Sequence, residues 1–315
     1  MSVVEFVVMR PNVERRLGRG LNIRDNYPAG MQRKPLPVEL DSRGILDPRL
    51  LAQRITLTRY PVGEQLAGLL DRYWAVEWDL PPGATHTQPV LTHPCGNLSV
   101  GHGEPDGAGA PGPIEARLHG VYRGLSRRTL AGRGWTVAAM TTPGGLGALT
   151  TRPASTYTDK SVPLGLLATL DEAALVADLQ ERPDQPGRVE AFARAIESAV
   201  RAVDPDRLRT AREVAEVTKL AETDRPLRRA GDLARAAAVS VRTLQRLFAD
   251  YVGVSPTWVL RRYRLIDVAE QVRGGQRVSW ADVAAGLGYA DQAHLTRDFR
   301  AATGRTPSEY AAAQR

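Results

Sequence analysis

Apolar positions change rhythm twice along this chain. From about 54 to 151 they come in short runs: Ile55-Thr56-Leu57-Thr58, Tyr73 to Trp78, Pro89-Val90-Leu91, Asn97 to Val100, Ala116 to Val121 and Thr136 to Met140. Turn clusters separate them, among them Pro81-Pro82-Gly83, Pro94-Cys95-Gly96 and Thr142-Pro143-Gly144-Gly145. That pattern predicts a small antiparallel barrel or sandwich. From 171 the period lengthens, and 171–181, 188–203 and 206–222 read as helices. Phe192, Ala195, Ile196, Ala199, Val200 and Val203 make a single apolar stripe, as on a helix buried along one side. The stripe suits packing onto the chain's own β-domain or a dimer seam equally well. Residues 1–44 show scattered Arg, Pro and Gly with little periodicity, as expected of a disordered tail.

Beyond 232 the pattern repeats. Residues 240–258, SVRTLQRLFADYVGVSPTW, and 291–310, DQAHLTRDFRAATGRTPSEY, share Leu-x-Arg-x-Phe followed by Gly-x-[Ser/Thr]-Pro at an offset of 51 residues. Leu244, Leu247, Phe248 and Tyr251 line one helical face, as do Leu295, Phe299 and Ala302. Gly253 and Gly304 supply left-handed residues that stop each helix. Ser255-Pro256 and the capping box Thr306-Pro307-Ser308-Glu309 then start new ones. A short small-residue helix precedes each copy, over 232–238 and 282–287. Helix, tight turn and amphipathic helix, twice over, predict two helix-turn-helix units, 232–253 and 282–304.

With the Leu and Phe positions buried, Arg242, Gln245, Arg246 and Ala249 face outward on the first copy. Gln292, Ala293, His294, Thr296, Arg297 and Arg300 do so on the second. Arg and Gln are suited to bidentate hydrogen bonding with guanine and adenine edges in the major groove. Charge agrees: 225–315 holds 15 Arg and no Lys against 8 acidic residues, which equals the net +7 of the whole chain. Such a confined excess is the electrostatic footprint of a phosphate-contacting domain.

On these residues the last 110 or so positions closely resemble the DNA-binding domain of the AraC/XylS family of bacterial transcription regulators. The segments DLARAAAVSVRTLQRLF, SPTWVLRRYRL and GYADQAHLTRDFRAATGRTPSEY carry the resemblance. It implies that Arg242, Gln245, Arg246, Gln292, Ala293, His294 and Arg297 face bases in two successive major grooves of double-stranded DNA. It also implies a cupin-like β-domain ahead of the DNA module, with a small-molecule effector, a second copy of the chain and RNA polymerase as further partners.

The expected architecture is therefore an α+β multidomain chain. A tail (1–44) precedes a β-rich sensor or oligomerisation domain (45–165), a helical linker (166–204) and an all-α double helix-turn-helix domain (205–315). One cysteine excludes a disulfide framework or a zinc finger and suits a reducing cytoplasm. No apolar run is long enough to span a bilayer, and no signal peptide is expected. His86, His93, His102 and His119 fall in the β-region with Cys95, so the alternative is a cupin-like metal-dependent enzyme tethered to DNA. No familiar ligand spacing supports it, and no cofactor, metal or catalytic residue is expected. The aromatics Tyr60, Tyr73, Trp74, Trp78, Tyr122 and Trp135 read mainly as core, with an effector pocket as the other use.

Overall fold

The computed structural model describes residues 55–106, 109–167, 170–224, 226–273 and 279–313; the expected tail lies outside them. Alternating and β-branched runs form β1 (Ile55–Tyr60), β2 (Leu70–Asp79), β3 (Thr85–Leu91), β4 (Asn97–His102), β5 (Ile114–His119), β6 (Leu125–Ala131), β7 (Arg133–Thr141) and β8 (Ser161–Pro163). Six of them make an antiparallel sheet in the order β1-β2-β7-β4-β5-β8, while β3 and β6 form a separate antiparallel ribbon. The antiparallel β-domain is thus present, as two sheets. β6 went unread because Arg127 and Arg128 break its apolar alternation; both are exposed.

The period of two gives the large sheet two unlike faces. Leu98, Val100, Leu118, Val137 and Ala139 share a core with Leu179, Phe192 and Ile196 from α2 (Glu172–Glu181) and α3 (Gln185–Arg201). Phe192 meets Tyr73 edge-on with ring centroids 6.4 Å apart. The apolar stripe of α3 is thereby consumed on the chain's own sheet. The other parity carries polar pairs, with Trp74 donating to Asn97 (3.1 Å) and Ser99 bonded to His119 (2.8 Å). Burial, then Arg128 and Arg117, push the His119 imidazole down to about 4.

The helical part comprises α4 (Pro205–Thr223), α5 (Ala230–Ala236), α6 (Val241–Leu247), α7 (Pro256–Arg273), α8 (Trp280–Gly286), α9 (Gln292–Thr303) and α10 (Pro307–Ala313). Side chains cap the helix starts, except at α5, whose N-cap residue Arg229 makes no such bond. Asp204 Oδ1 accepts from the Asp206 amide and Ser255 Oγ from the Trp258 amide. Thr306 and Glu309 exchange both bonds of the expected capping box. Phe248, Leu260, Leu295 and Phe299 centre a second core, and Leu91 and Val121 of the β-domain belong to it. α4 packs against both α7 and α1 (Gly145–Leu149) of the β-domain. The two halves therefore share packing across 204–205.

Candidate nucleic-acid interface

The two helix-turn-helix units use the same local device. α5 ends with the amides of Ala237 and Val239 bonded to the carbonyls of Leu233 and Ala234. α8 ends identically, with Leu287 and Tyr289 bonded to Val283 and Ala284. The turn residue is left-handed in both, Ala238 at φ 55° and Gly288 at φ 74°. Glycine takes that conformation freely, whereas alanine there is strained. The second turn holds one more residue, so the caps that open the recognition helices are Ser240 and Asp291. They accept from the amides of Thr243 (3.1 Å) and His294 (2.6 Å).

Burial sorts the faces as the helical period demands. Leu244 and Phe248 of the first unit, and Leu295 and Phe299 of the second, are at most 1% exposed. Arg242, Gln245 and Arg246 are exposed together on α6, and Gln292, Ala293 and Arg297 on α9. Among the described residues no ion pair engages Arg242, Arg246 or Arg297. Their guanidinium groups therefore carry charge that the fold itself does not use. His294 is different. Its ring packs edge-on against Tyr289 (5.2 Å between centroids) and its Nε2 lies 3.8 Å from Asp298 Oδ2. It sits half-buried at the margin of the exposed set.

Sequence reasoning missed Val241, which is 41% exposed in the first turn of α6 beside Arg242. A large aliphatic side chain at the solvent end of a helix runs against burial habit, and a thymine methyl is the base feature it suits. Arg235 on α5, with its side chain 80% exposed, pairs with Asp232 at 3.4 Å.

The recognition helices end differently. α9 stops at Gly304 (φ 76°), whose amide bonds Arg300. α6 runs into a π-turn, Phe248–Val252, closed by the Gly253 amide on Phe248 O at 2.7 Å. Both glycines abut the β-domain. Thr158 Oγ1 donates to Gly253 O at 2.6 Å. The side chains of Leu125 and Arg127 lie about 4 Å from where a Cβ on Gly304 would stand. Behind the π-turn, a Cβ on Gly147 would fall 2.3 Å from Tyr251 Cα. Between the units, buried Arg262 of α7 stacks over Trp258 (4.6 Å) and donates to the carbonyl of Arg123. Burial lowers its guanidinium to about 10.

The histidines of the β-domain do not converge. His86 contacts Gln88, His102 accepts from the Trp135 amide, and His119 bonds Ser99. Among the described residues no group of three or more His, Cys, Asp or Glu side chains could hold a metal ion. No helix among them is long and apolar enough to cross a membrane.

Residues 233–313 match a family described as a helix-turn-helix domain, and 58–163 match one described as a domain of unknown function, DUF6597. A protein of Streptomyces lividans described as a putative AraC-like transcription regulator is 37% identical over 79 residues, which is 25% of this chain and 26% of that protein. The chain thus spans about a quarter of the length of that relative. A structure of ToxT from Vibrio cholerae aligns over 82% of this chain and 98% of its own, with 11% identity and a TM-score of 0.37. Another, a ligand-free point variant of ToxT from the same organism, covers 76% and 96% with 14% identity and a TM-score of 0.35. Likeness this loose transfers no detail of either protein.

Proposed function

We propose that the chain is a sequence-specific, double-stranded-DNA-binding regulator of transcription, with residues 233–313, which match a helix-turn-helix family, serving as a DNA-binding domain of the AraC type. One observation carries the reading: two recognition helices with the same buried anchors each present unpaired polar and cationic side chains, and one continuous helix joins the units. α7 has 18 residues, about 27 Å at roughly 1.5 Å per residue. That length suits two units set about one helical turn of DNA apart. Arg242, Gln245 and Arg246 read bases in one major groove; Gln292, Ala293 and Arg297 lie in the next, with His294 at its edge. Val241 adds a methyl contact in the first groove. The arginine excess of the C-terminal region supplies phosphate attraction to both.

In this reading the β-domain is the sensor. Its contacts at Gly253, Gly304 and Arg262 are the route by which a bound effector changes DNA binding. The protein acts on chromosomal DNA in the cytoplasm and meets RNA polymerase there. Selection of binding sites from random duplex DNA with the intact protein tests the proposal. The expected outcome is a bipartite motif with its two parts about one helical turn apart, protected from cleavage on one face of the duplex. Enrichment of no motif, or equal affinity for single-stranded and duplex DNA, would overturn it.

A further inference from the structure

Under the first turn of α3 the large sheet leaves a groove of about 950 Å³. Glu77 and Trp78 of β2, His102 of β4, Trp135 of β7 and Gln185 and Arg188 of α3 line it. Glu77, His102 and Trp135 line it from the helix-covered face of the sheet, and Trp78, of the opposite parity, lines it as well. The walls are flat and aromatic. His102 meets Trp78 and Trp135 edge-on, with centroids 6.0 and 5.9 Å apart.

Its hydrogen bonding is unbalanced in one direction. Gln185 is 9% exposed; its Oε1 accepts from the Tyr60 hydroxyl at 2.9 Å, while its Nε2 has no acceptor among the described residues. Arg188 donates through Nη1 to Glu77 at 3.0 Å, yet its Nε is equally unserved. Gln185 and Arg188 stand three apart on α3, so they share a face. Two buried donors without partners are costly in a native structure. Among the described residues, no side chain lining the groove has a buried acceptor in the same condition. Arg188 Nε can only donate, so the partner it lacks is an acceptor, and the Gln185 amide can donate to the same partner.

Charge narrows its class. The Arg188 guanidinium already lies 4.8 Å from the Trp135 centroid, filling the place a ligand cation would take over that ring. Glu77, Asp79 and Asp184 line the groove against Arg133 and Arg188. Glu77 is already paired with Arg188, which leaves Asp79 and Asp184 against Arg133. That excess of negative charge opposes a dianion such as a phosphate monoester about twice as strongly as a monoanion. A single carboxylate brings two oxygens with several acceptor positions and suits an arginine fork.

We propose that this groove binds a small organic monocarboxylate, its carboxylate on Arg188 and Gln185 and its flat apolar body along Trp135 and His102. A rotamer adjustment of Gln185 turns its amide donor toward the ligand. The volume falls in the range of pockets that hold drug-sized molecules. The site gives a ligand class to the sensor reading and rests on that reading only for its regulatory consequence.

The test uses the intact protein with phenylacetate, cinnamate, 2-naphthoate and octanoate, followed by tryptophan fluorescence and thermal melting. The matched amides, phenethylamine and phenyl phosphate serve as comparisons. At least one carboxylate is expected to saturate the fluorescence change and raise Tm, binding at least tenfold more tightly than its amide, the amine or the phosphate. Arg188→Gln should weaken it at least tenfold and Arg188→Lys should recover part of the loss. If Arg188→Gln does not fold, Gln185→Leu replaces it and should weaken binding several-fold. Failure of all four carboxylates to saturate, equal binding of an amide or amine, or affinity unchanged in the variant would overturn the site. Affinity for a selected DNA duplex is measured separately. Carboxylate binding without DNA binding would sink the regulator reading and leave this site standing.

Discussion

Replacing Arg246 by Ala separates base reading from phosphate attraction at the first unit. Arg246 is exposed on α6 and no ion pair among the described residues engages it. Its removal should therefore change folding stability by no more than about 0.5 kcal/mol. Any larger loss in DNA affinity then belongs to the contact with DNA. If the guanidinium grips a guanine edge, the loss is about 1–3 kcal/mol, roughly 5- to 150-fold, and falls on sequences carrying that base pair. If it clamps a phosphate, affinity falls on all sequences alike and the slope of log K against log salt shrinks by about 0.9. Between about 50 and 200 mM salt that slope change alters the parent-to-variant ratio roughly 3.5-fold. Site selection with the variant, followed by salt titration on the best and worst sequences, reads both quantities. Direct readout predicts that one position of the motif relaxes while the salt slope holds. Unchanged base preferences with weaker binding throughout would show Arg246 to be a clamp and refute the assignment.

Phe248→Ala and Phe299→Ala should each cost about 3–5 kcal/mol in denaturant unfolding, because both rings are 0% exposed; a variant as stable as the parent would break the assigned helix phase. Ala238→Gly should raise stability by about 0.5–1 kcal/mol by relieving the left-handed alanine at φ 55°, and an unchanged or lower urea midpoint would contradict that strain. His119 is held neutral in the fold, with its imidazole lowered from 6.5 to about 4. The unfolded chain therefore takes up a proton in that window while the native protein does not, and stability falls by about 3 kcal/mol as pH drops from 7 to 4. His119→Gln should remove that share of the pH dependence, and an equally steep profile in the variant would refute it.

The helix-turn-helix units were legible because each of their parts is local. A cap, an apolar stripe and a glycine stop all fall within about twenty residues, and the repeat states them twice. The strands were legible where apolar residues alternate, and β6 was lost where packing against β3 outweighed its two exposed arginines. The stripe on α3 was visible as a stripe, but its partner was not. Phe192 meets Tyr73 across 119 positions of chain, and nothing local announces such a contact. The groove beneath α3 was hidden for the same reason. Trp78 and Trp135 were noticed as aromatics, yet pairing of β2 with β7 is what brings them together. Gln185 and Arg188 gave no signal in sequence because their significance lies in hydrogen bonds that are missing.

The repeat also explains a feature of the assembled molecule that neither domain shows alone. Gly253 and Gly304 stand at the same position of the two units, and both come to rest against the β-domain. One contact is a hydrogen bond to backbone, and nearby Gly147 admits the backbone of Tyr251 where any side chain would clash. Contacts of this kind tolerate little sliding, because there is no flexible side chain between the surfaces to absorb it. The contact at Gly304 is made by the β6 ribbon, while those at Gly253 come from the segment around 147–158, so two separate parts of the β-domain hold the two units. Double-groove binding needs both recognition helices at a set spacing and rotation. A change in the relation between ribbon and sheet would alter that setting at the ends of both helices without touching their reading faces. On the proposed reading, the β-domain acts on DNA binding from where it holds the domain, at the two repeated stops.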